Sequence, residues 1–397
     1  MARQAPPGST RATAAAIQKA TALKFVVFIG VVSLFADMTY EGARSITGPF
    51  LAFLGASGTI VGIVAGFGEL AGYGLRLASG YISDRTGRYW TVTLIGYFVN
   101  MLAVPLLALA GSWQTAAFLM IAERTGKGIR NPPRDAMLSH ATQSIGGGWV
   151  FGLHEALDQV GAVLGPLVVS AVLYMKGSYR IGFAVLLVPA VIALSVLITA
   201  RLLYPRPRDL EAILPELETK GYPSRFWRYI AAASLIGAGY VDFPLIAFHF
   251  EKATVVSDGM IPILYAVAMG VDALAALVLG GLFDRKGVAV LIFATIVAAF
   301  FAPLVFLADG YLVFIGMALW GLGMGAQESI MRAVVAEMIP AKRRASAYGI
   351  FNAAFGLSWF LGSLLMGILY DFSLPAVMVC SVVLQVASVP VLLWLRS

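Results

Sequence analysis

The sequence predicts an all-α membrane protein, with twelve transmembrane helices in two pseudo-symmetric six-helix bundles. Three observations lead there: scarce charge, long and evenly spaced apolar runs, and a charged turn that occurs twice. Of 397 residues, 59% are hydrophobic and 12% charged, with a mean hydropathy of +0.85. A soluble domain carries roughly 25% charged residues, so this chain lacks the polar surface to cover itself and lipid must cover much of it. At about 20 residues per crossing plus short loops, the length admits roughly twelve spans. The runs are continuous rather than alternating, unlike β-barrel strands. Residues 80–87 read Gly-Tyr-Ile-Ser-Asp-Arg-Thr-Gly and residues 280–287 read Gly-Gly-Leu-Phe-Asp-Arg-Lys-Gly. The skeleton Gly80/Asp84/Arg85/Gly87 thus returns as Gly280/Asp284/Arg285/Gly287, as expected of an internally duplicated transporter.

Residues 1–24 hold Arg3, Arg11, Lys19 and Lys24 and no acid. They read as a disordered cytoplasmic tail, with a transit peptide as the alternative. The first half, 25–203, holds spans near 25–54, 59–82, 90–110, 113–138, 149–174 and 180–203. The first of these is over-long and is expected to tilt, or to bend around Gly42, Gly48 and Pro49. A charged, Pro-containing linker, 204–225, leads to the second half, 226–397, with spans near 226–250, 259–283, 288–308, 311–336, 345–370 and 374–395. The echo extends into the spans. Phe151-Gly152-Leu153 matches Tyr348-Gly349-Ile350, Gly165 matches Gly362, and Ser33-Leu34 matches Ser234-Leu235, which sets Glu41 opposite Asp242.

The formal charge of +7 is confined to alternate loops. Arg85, Arg88, Arg285, Lys286, Lys342, Arg343 and Arg344 fall on one side with the tail and linker, against Lys176, Arg180 and Lys252 on the other. That bias places both termini in the cytoplasm of a prokaryotic inner membrane, with lipid and not nucleic acid as the large partner. The expected form is a monomer without cofactor. The single cysteine, Cys380, excludes an internal disulfide and reads as a small apolar filler.

The motifs resemble those of the major facilitator superfamily, and of its drug:proton antiporter branch. Gly80-x-x-x-Asp84-Arg85-x-Gly87-Arg88 looks like the family's loop motif after the second helix, and Asp284-Arg285-x-Gly287 is a weaker second copy. Arg124-x-x-Lys127-Gly128 resembles the fourth-helix motif, with Lys in place of Gln. Gly161-x-x-x-Gly165-Pro166 is similar to the fifth-helix antiporter motif, although Val168 and Val169 replace its trailing glycines. The resemblance implies a secondary transporter that is not an enzyme and exchanges protons for a small molecule. It also implies that Asp84 and Arg85 latch the cytoplasmic side closed and that Arg124 communicates with Asp37 or Glu41. On physical grounds, an acid and a base at a helix end can pair with each other and with neighbouring helix termini; the bare alternative is a topology anchor.

Ionisable residues inside apolar spans are costly and should face water or a partner. Asp37, Glu41, Glu69, Glu123, Arg124, Asp158, Asp242 and Asp272 all fall near mid-membrane depth. Asp37, Glu41 and Arg44 share one helix face, as do Glu123, Lys127, Arg130 and Arg134, although Pro132 and Pro133 could turn Arg134 aside. His154 and Asp158 are one turn apart, with Glu155 beside them, and Glu328 and Arg332 are expected to pair. Asp37, Glu41 and Arg124 are the candidate proton carriers, against the alternative of a static bridge. Arg44, Glu69, Glu123, Lys127, His154, Glu155, Asp158, Asp242, Asp272 and Glu328 are the candidate cavity residues. His140 and His249 read as hydrogen-bonded interfacial histidines, and Tyr40, Tyr73, Tyr240, Trp320 and Trp359 as pocket-shaping or packing aromatics.

Proton-coupled export of a small amphipathic or cationic molecule is the function these features fit best. Divalent-metal export and uptake of an anionic metabolite are the alternatives. His154-Glu155-Ala156-Leu157-Asp158 is a near miss to a zinc-protease motif, but no third ligand is evident among three histidines. No nucleotide-binding loop is present in the sequence.

Overall fold

The computed structural model describes residues 7–145, 147–205, 221–307, 309–339 and 344–395. The start of the tail, most of the linker, Lys342 and Arg343, and the side chains of His140, Phe151 and Arg344 lie outside the described residues. Every described element is helical.

α1 (Pro7–Phe53) is one helix of 47 residues. It absorbs residues 7–24, which the sequence reading treated as disordered; their Ala, Gln, Lys and Arg content favours helix. It also runs uninterrupted through Pro49. Gly42 and Gly48 mark close approaches: Gly165 backbone lies 3.1 Å from where a Cβ on Gly42 would sit, and Pro244 backbone occupies the place of one on Gly48. After α1 come α2 (Gly58–Thr86), α3 (Tyr89–Leu106), α4 (Trp113–Ile145), α5 (Gly147–Lys176), α6 (Tyr179–Val185) and α7 (Leu187–Leu203). Beyond the linker follow α8 (Ser224–Gly239), α9 (Phe243–Lys252), α10 (Met260–Lys286), α11 (Ala289–Ala298), α12 (Phe301–Leu307), α13 (Tyr311–Met338), α14 (Arg344–Phe372) and α15 (Leu374–Trp394).

Ten segments among the described residues are long and apolar enough to cross a membrane, counting α6–α7, α8–α9 and α11–α12 as single crossings. α4 and α13 are not among the ten. They occupy corresponding places in the two halves and carry Glu123, Arg124, Lys127, Arg130 and Glu328, Arg332 respectively.

Glycines set the helix contacts. Carbonyls of Leu34 and Met38 fill the space where Cβ atoms on Gly161 and Gly165 would be, which seats α5 on α1. Gly362 does the same for α14 on α8, against Ala238. The matched pair Gly165 and Gly362 therefore makes one contact twice. On α2, Gly58, Gly62 and Gly66 lie against Gly367, Ser363 and Phe360 of α14. Small residues at such crossings let backbones touch, which raises dispersion contact where lipid gives no hydrophobic drive.

The break between α8 and α9 matters most for the site. Three residues, Tyr240 to Asp242, leave the helix in extended geometry at Tyr240 and Asp242. Unpaired backbone in an apolar setting is costly unless side chains satisfy it. Here Ser381 donates to the Gly239 carbonyl at 2.7 Å, and the Trp320 indole donates to the Val241 carbonyl at 2.9 Å. The break frees Asp242 to project its carboxylate toward α1.

Candidate functional site

α1 and α4 present complementary stripes that meet as a ladder. Arg134 of α4 donates to Ser33 Oγ at 3.3 Å. One turn on, Arg130 lies 3.8 Å from Asp37, and the next rung is Lys127 at 3.7 Å from Glu41. The last rung is indirect, because Glu69 of α2 lies 3.4 Å from Arg124 and 3.5 Å from Arg44. Antiparallel steps of three and four residues keep successive rungs on one face of each helix. Both middle pairs are longer than the 2.7–2.9 Å typical of charge-assisted hydrogen bonds. The shorter contacts come from phenols: Tyr40 donates to Asp37 at 2.8 Å, and Tyr265 of α10 donates to Glu41.

The resemblance implies that Arg124 communicates with Asp37 or Glu41; no ion pair joins it to either, and its link to α1 runs through Glu69 to Arg44. Its ion partners are Glu69 and, at 3.5 Å, Glu123, and the α1 acids belong to Lys127 and Arg130, one and two turns further along α4. Pro132 and Pro133 lie inside α4 without ending it, so Arg134 keeps its place on the ladder. Arg130 is fully buried, with Tyr97 and Tyr40 ring centroids at 4.3 and 5.5 Å. Lys127 sits 3.8 Å from the Tyr40 centroid. Ring faces are negative, so they help hold these cations. Glu123 accepts from Asn100 at 2.7 Å.

Two contacts carry this network into the second half. One is Tyr265 to Glu41. The other is Asp242, whose carboxylate lies 3.1 Å from Arg44 and also accepts from Trp359 at 2.9 Å and Ser363 at 3.4 Å. Trp320 and Trp359, read from sequence as pocket or packing aromatics, here satisfy the broken backbone and the acid beside it.

A cavity of about 710 Å³ opens beside the ladder, reaching Asp37, Glu41, Arg44, Lys127 and Arg130 on one wall and Glu155, Asp158, Asp272 and Glu328 on the other. A smaller space of about 120 Å³ adjoins it at Glu69, Arg76, Arg124 and Trp359. Of the predicted cavity residues, Arg44, Glu69, Lys127, Glu155, Asp158, Asp272 and Glu328 line these two spaces; Asp242 and Glu123 line a separate small space that Arg44, Glu69 and Arg124 also reach, and His154 lines none of the three. His154 is buried, 3.6 Å from Asp158 and 3.4 Å from Ser33 Oγ. Glu328 and Arg332 do not form the expected ion pair; no contact within 4.0 Å joins them. No group of three or more metal-binding side chains occurs among the described residues. Tyr265, Arg76 and Asn100 were missed by the sequence reading, since singly placed polar residues on apolar helices give no periodic signal.

The turn motifs lie at one end, which we call the motif end. Gly87 caps α2 at φ +67° and Gly287 caps α10 at φ +59°, a region that favours glycine. Gly80 is not forced by close packing, since a Cβ there would meet Pro132 only at 3.5 Å. Asp84 accepts from Tyr89 at 2.8 Å and Arg85 donates to Tyr81 at 3.0 Å. Arg88, Asp284 and Arg285 are exposed. These are local contacts, with no bond to the other half among the described residues. The opposite end is packed shut. Asp371 of α14 accepts from the backbone of Gly58 and Thr59, both at 2.8 Å, and from the Thr59 hydroxyl at 2.6 Å. Ser170 of α5 donates to the Gly259 carbonyl at 2.7 Å, and Tyr179 donates to Glu251 at 2.6 Å.

The comparisons with known proteins agree with this architecture. The family model of the Major Facilitator Superfamily matches residues 27–326 and again 229–397. An uncharacterized protein of Mycobacterium tuberculosis is 41% identical over 383 residues, covering 95% of this chain and 94% of its own. An uncharacterized MFS-type transporter of Methanocaldococcus jannaschii is 28% identical over 363 residues, covering 88% and 89%. Among solved structures, the nucleoside transporter NupG aligns with a TM-score of 0.73 at 13% identity, over 94% of this chain and 98% of that one. The chain is an integral membrane protein that belongs to the major facilitator superfamily, a transporter family and not an enzymatic one.

Proposed function

We propose that this chain exports a small amphipathic or cationic molecule in exchange for protons, in the manner of the drug:proton antiporter branch. In this reading α4 and α13 complete twelve crossings, and two six-helix bundles, 25–203 and 226–397, rock about the central cavity. The motif end and both termini are cytoplasmic, so the conformation with the opposite end shut faces inward. The single observation that supports the reading most is the α1–α4 ladder, which lines the same cavity as acids that have no cation partner. Protonation of Asp37 or Glu41 removes the charge that holds Arg130 or Lys127, so α1 loosens from α4. α1 also carries Arg44, whose partner Asp242 sits in the other half, and a shift of α1 is therefore felt across the cavity. In the outward-facing state the Asp84–Arg85 turn latches the cytoplasmic end.

The test is flux of tetraphenylphosphonium in proteoliposomes under an imposed pH gradient. Gradient-driven flux that Asp37→Asn or Glu41→Gln abolishes supports the reading; flux indifferent to the gradient refutes it. A second reading, uptake of an anionic metabolite, draws on Arg76 and Arg332. Both line the cavity and neither has an acid within 4.0 Å among the described residues. Gradient-driven entry of an organic acid without movement of the cation would select it.

A further inference from the structure

The acids on the two sides of the cavity are treated differently. Asp37, Glu41 and Glu69 each have a cation partner. Asp272, midway along α10, has none. It is 2% exposed and lines the cavity, and its Oδ1 is buried without a hydrogen-bond partner among the described residues. A carboxylate left alone at such depth is costly, so this position calls for an occupant.

Its surroundings indicate what kind. The Asp272 carbonyl and the Ala276 amide fill the space a Cβ on Gly325 would need, so α13 lies backbone to backbone against α10. Glu328 is three residues beyond Gly325, on the same face of α13, and it too lacks an ion pair within 4.0 Å among the described residues. Met269 and Ala276, one turn either side of Asp272, and Met324 give the same wall apolar and polarisable surface. The charges that act on Asp272 are Glu328 from α13, Glu155 from α5, and Glu41 and Arg44 from α1, with the Tyr240 phenol nearby; Arg332 and Asp158 line the same cavity. Arg44 is already held by Glu69 and Asp242. Acids therefore outnumber available cations around this carboxyl.

We infer that Asp272, with Glu328 beside it, binds the positive group of an amphipathic organic cation, and that this cation competes there with a proton. The methionines receive its apolar body. When the cation arrives, the proton leaves the carboxyl for water in the cavity; when the proton returns, the cation is released. This inference rests on the export reading and adds to it. The α1 acids, already paired, govern helix contact, while the α10 acid reads the substrate's charge.

The experiment measures binding of radiolabelled tetraphenylphosphonium, which has no proton of its own, to the purified full chain in nanodiscs across a pH series. The expected result is binding that strengthens as pH rises, with protons released into weakly buffered solution as the cation binds. Asp272→Asn should weaken binding by about tenfold or more and flatten its pH dependence, whereas Asp272→Glu should keep both. Asp272→Asn should melt no lower than the wild type, because it removes a buried charge that nothing pairs; a merely structural carboxylate would give a lower melting temperature. The inference is overturned if the wild type does not bind the cation, if Asp272→Asn binds it with unchanged affinity and pH dependence, or if Mn²⁺ binds in its place with the same dependence on Asp272. If the binding results hold but a pH gradient drives no flux, the export reading fails and this site stands. If gradient-driven flux occurs and Asp272→Asn leaves it unaltered, the site fails and the export reading stands.

Discussion

Arg44 of α1 and Asp242 in the break between α8 and α9 meet at 3.1 Å, the one ion pair that joins the first half of the chain to the second among the described residues. Asp242 is 2% exposed and also accepts from Trp359 and Ser363. Removing one partner of a buried pair leaves the other charge stranded, at a cost of about 3–5 kcal/mol. Asp242→Ala is therefore expected to lower the melting temperature of the purified protein strongly. Arg44→Ala should act in the same direction, and the double variant should lose clearly less than the sum, as measured by thermal unfolding.

Asp37 and Arg130 separate stability from coupling. Arg130 is fully buried with Asp37 3.8 Å away, so Asp37→Asn leaves a buried guanidinium without its carboxylate. That variant should be destabilised by about 3 kcal/mol. Arg130→Met in the same chain should restore most of the stability, because the stranded charge is gone. It should not restore pH-gradient-driven flux, which checks that the pair does more than hold α1 to α4.

Gly165 and Gly362 make the same contact in the two halves, against Met38 and Ala238 carbonyls. A Cβ at either position collides with backbone, which cannot move as a flexible side chain can. Gly165→Val and Gly362→Val should each force a helix pair apart and reduce the yield of monodisperse protein several-fold on size exclusion. Gly80→Val, facing only ordinary contact with Pro132, should be much milder.

Much of the fold was legible in the sequence because its signals are local. Apolar run length, the duplicated turn, and Gly87 and Gly287 at helix ends each report on a few consecutive residues. The acid and base stripes of α1 and α4 were legible for the same reason. Which base meets which acid was not, because it depends on how far α4 slides along α1. A shift of one helical turn moves the partner of Glu41 from Arg124 to Lys127. The break at Tyr240 was also hidden, although Gly237, Gly239 and Pro244 surround it; its carbonyls are satisfied by Trp320 and Ser381, far away in sequence. Tyr265 on Glu41 is likewise a contact between halves that no periodicity announces. Asp272 could be flagged by depth alone, but only the structure shows that no described residue forms an ion pair with it.

Asp371 fastens α14 to the first turn of α2 with three hydrogen bonds. Asp371→Ala should ease opening at that end by about 1.5 kcal/mol, roughly tenfold in the opening equilibrium. With Cys380 replaced by Ser, a cysteine at Val64, which is buried and lines a small space between α1, α2 and α4, should then be labelled by a membrane-impermeant thiol reagent about tenfold faster. An unchanged rate would show that the glycine contacts alone keep that end shut.

The most direct test of a proton-driven charge ladder is tetraphenylphosphonium flux in proteoliposomes under an imposed pH gradient, comparing wild type with Glu41→Gln. The expected result is movement of the cation against the proton gradient in wild type, collapse of that movement with a protonophore, and its absence in Glu41→Gln. Equal gradient-driven flux in the two proteins would contradict the account, since Glu41 would then be a brace for Lys127 and Tyr265 and not part of the exchange.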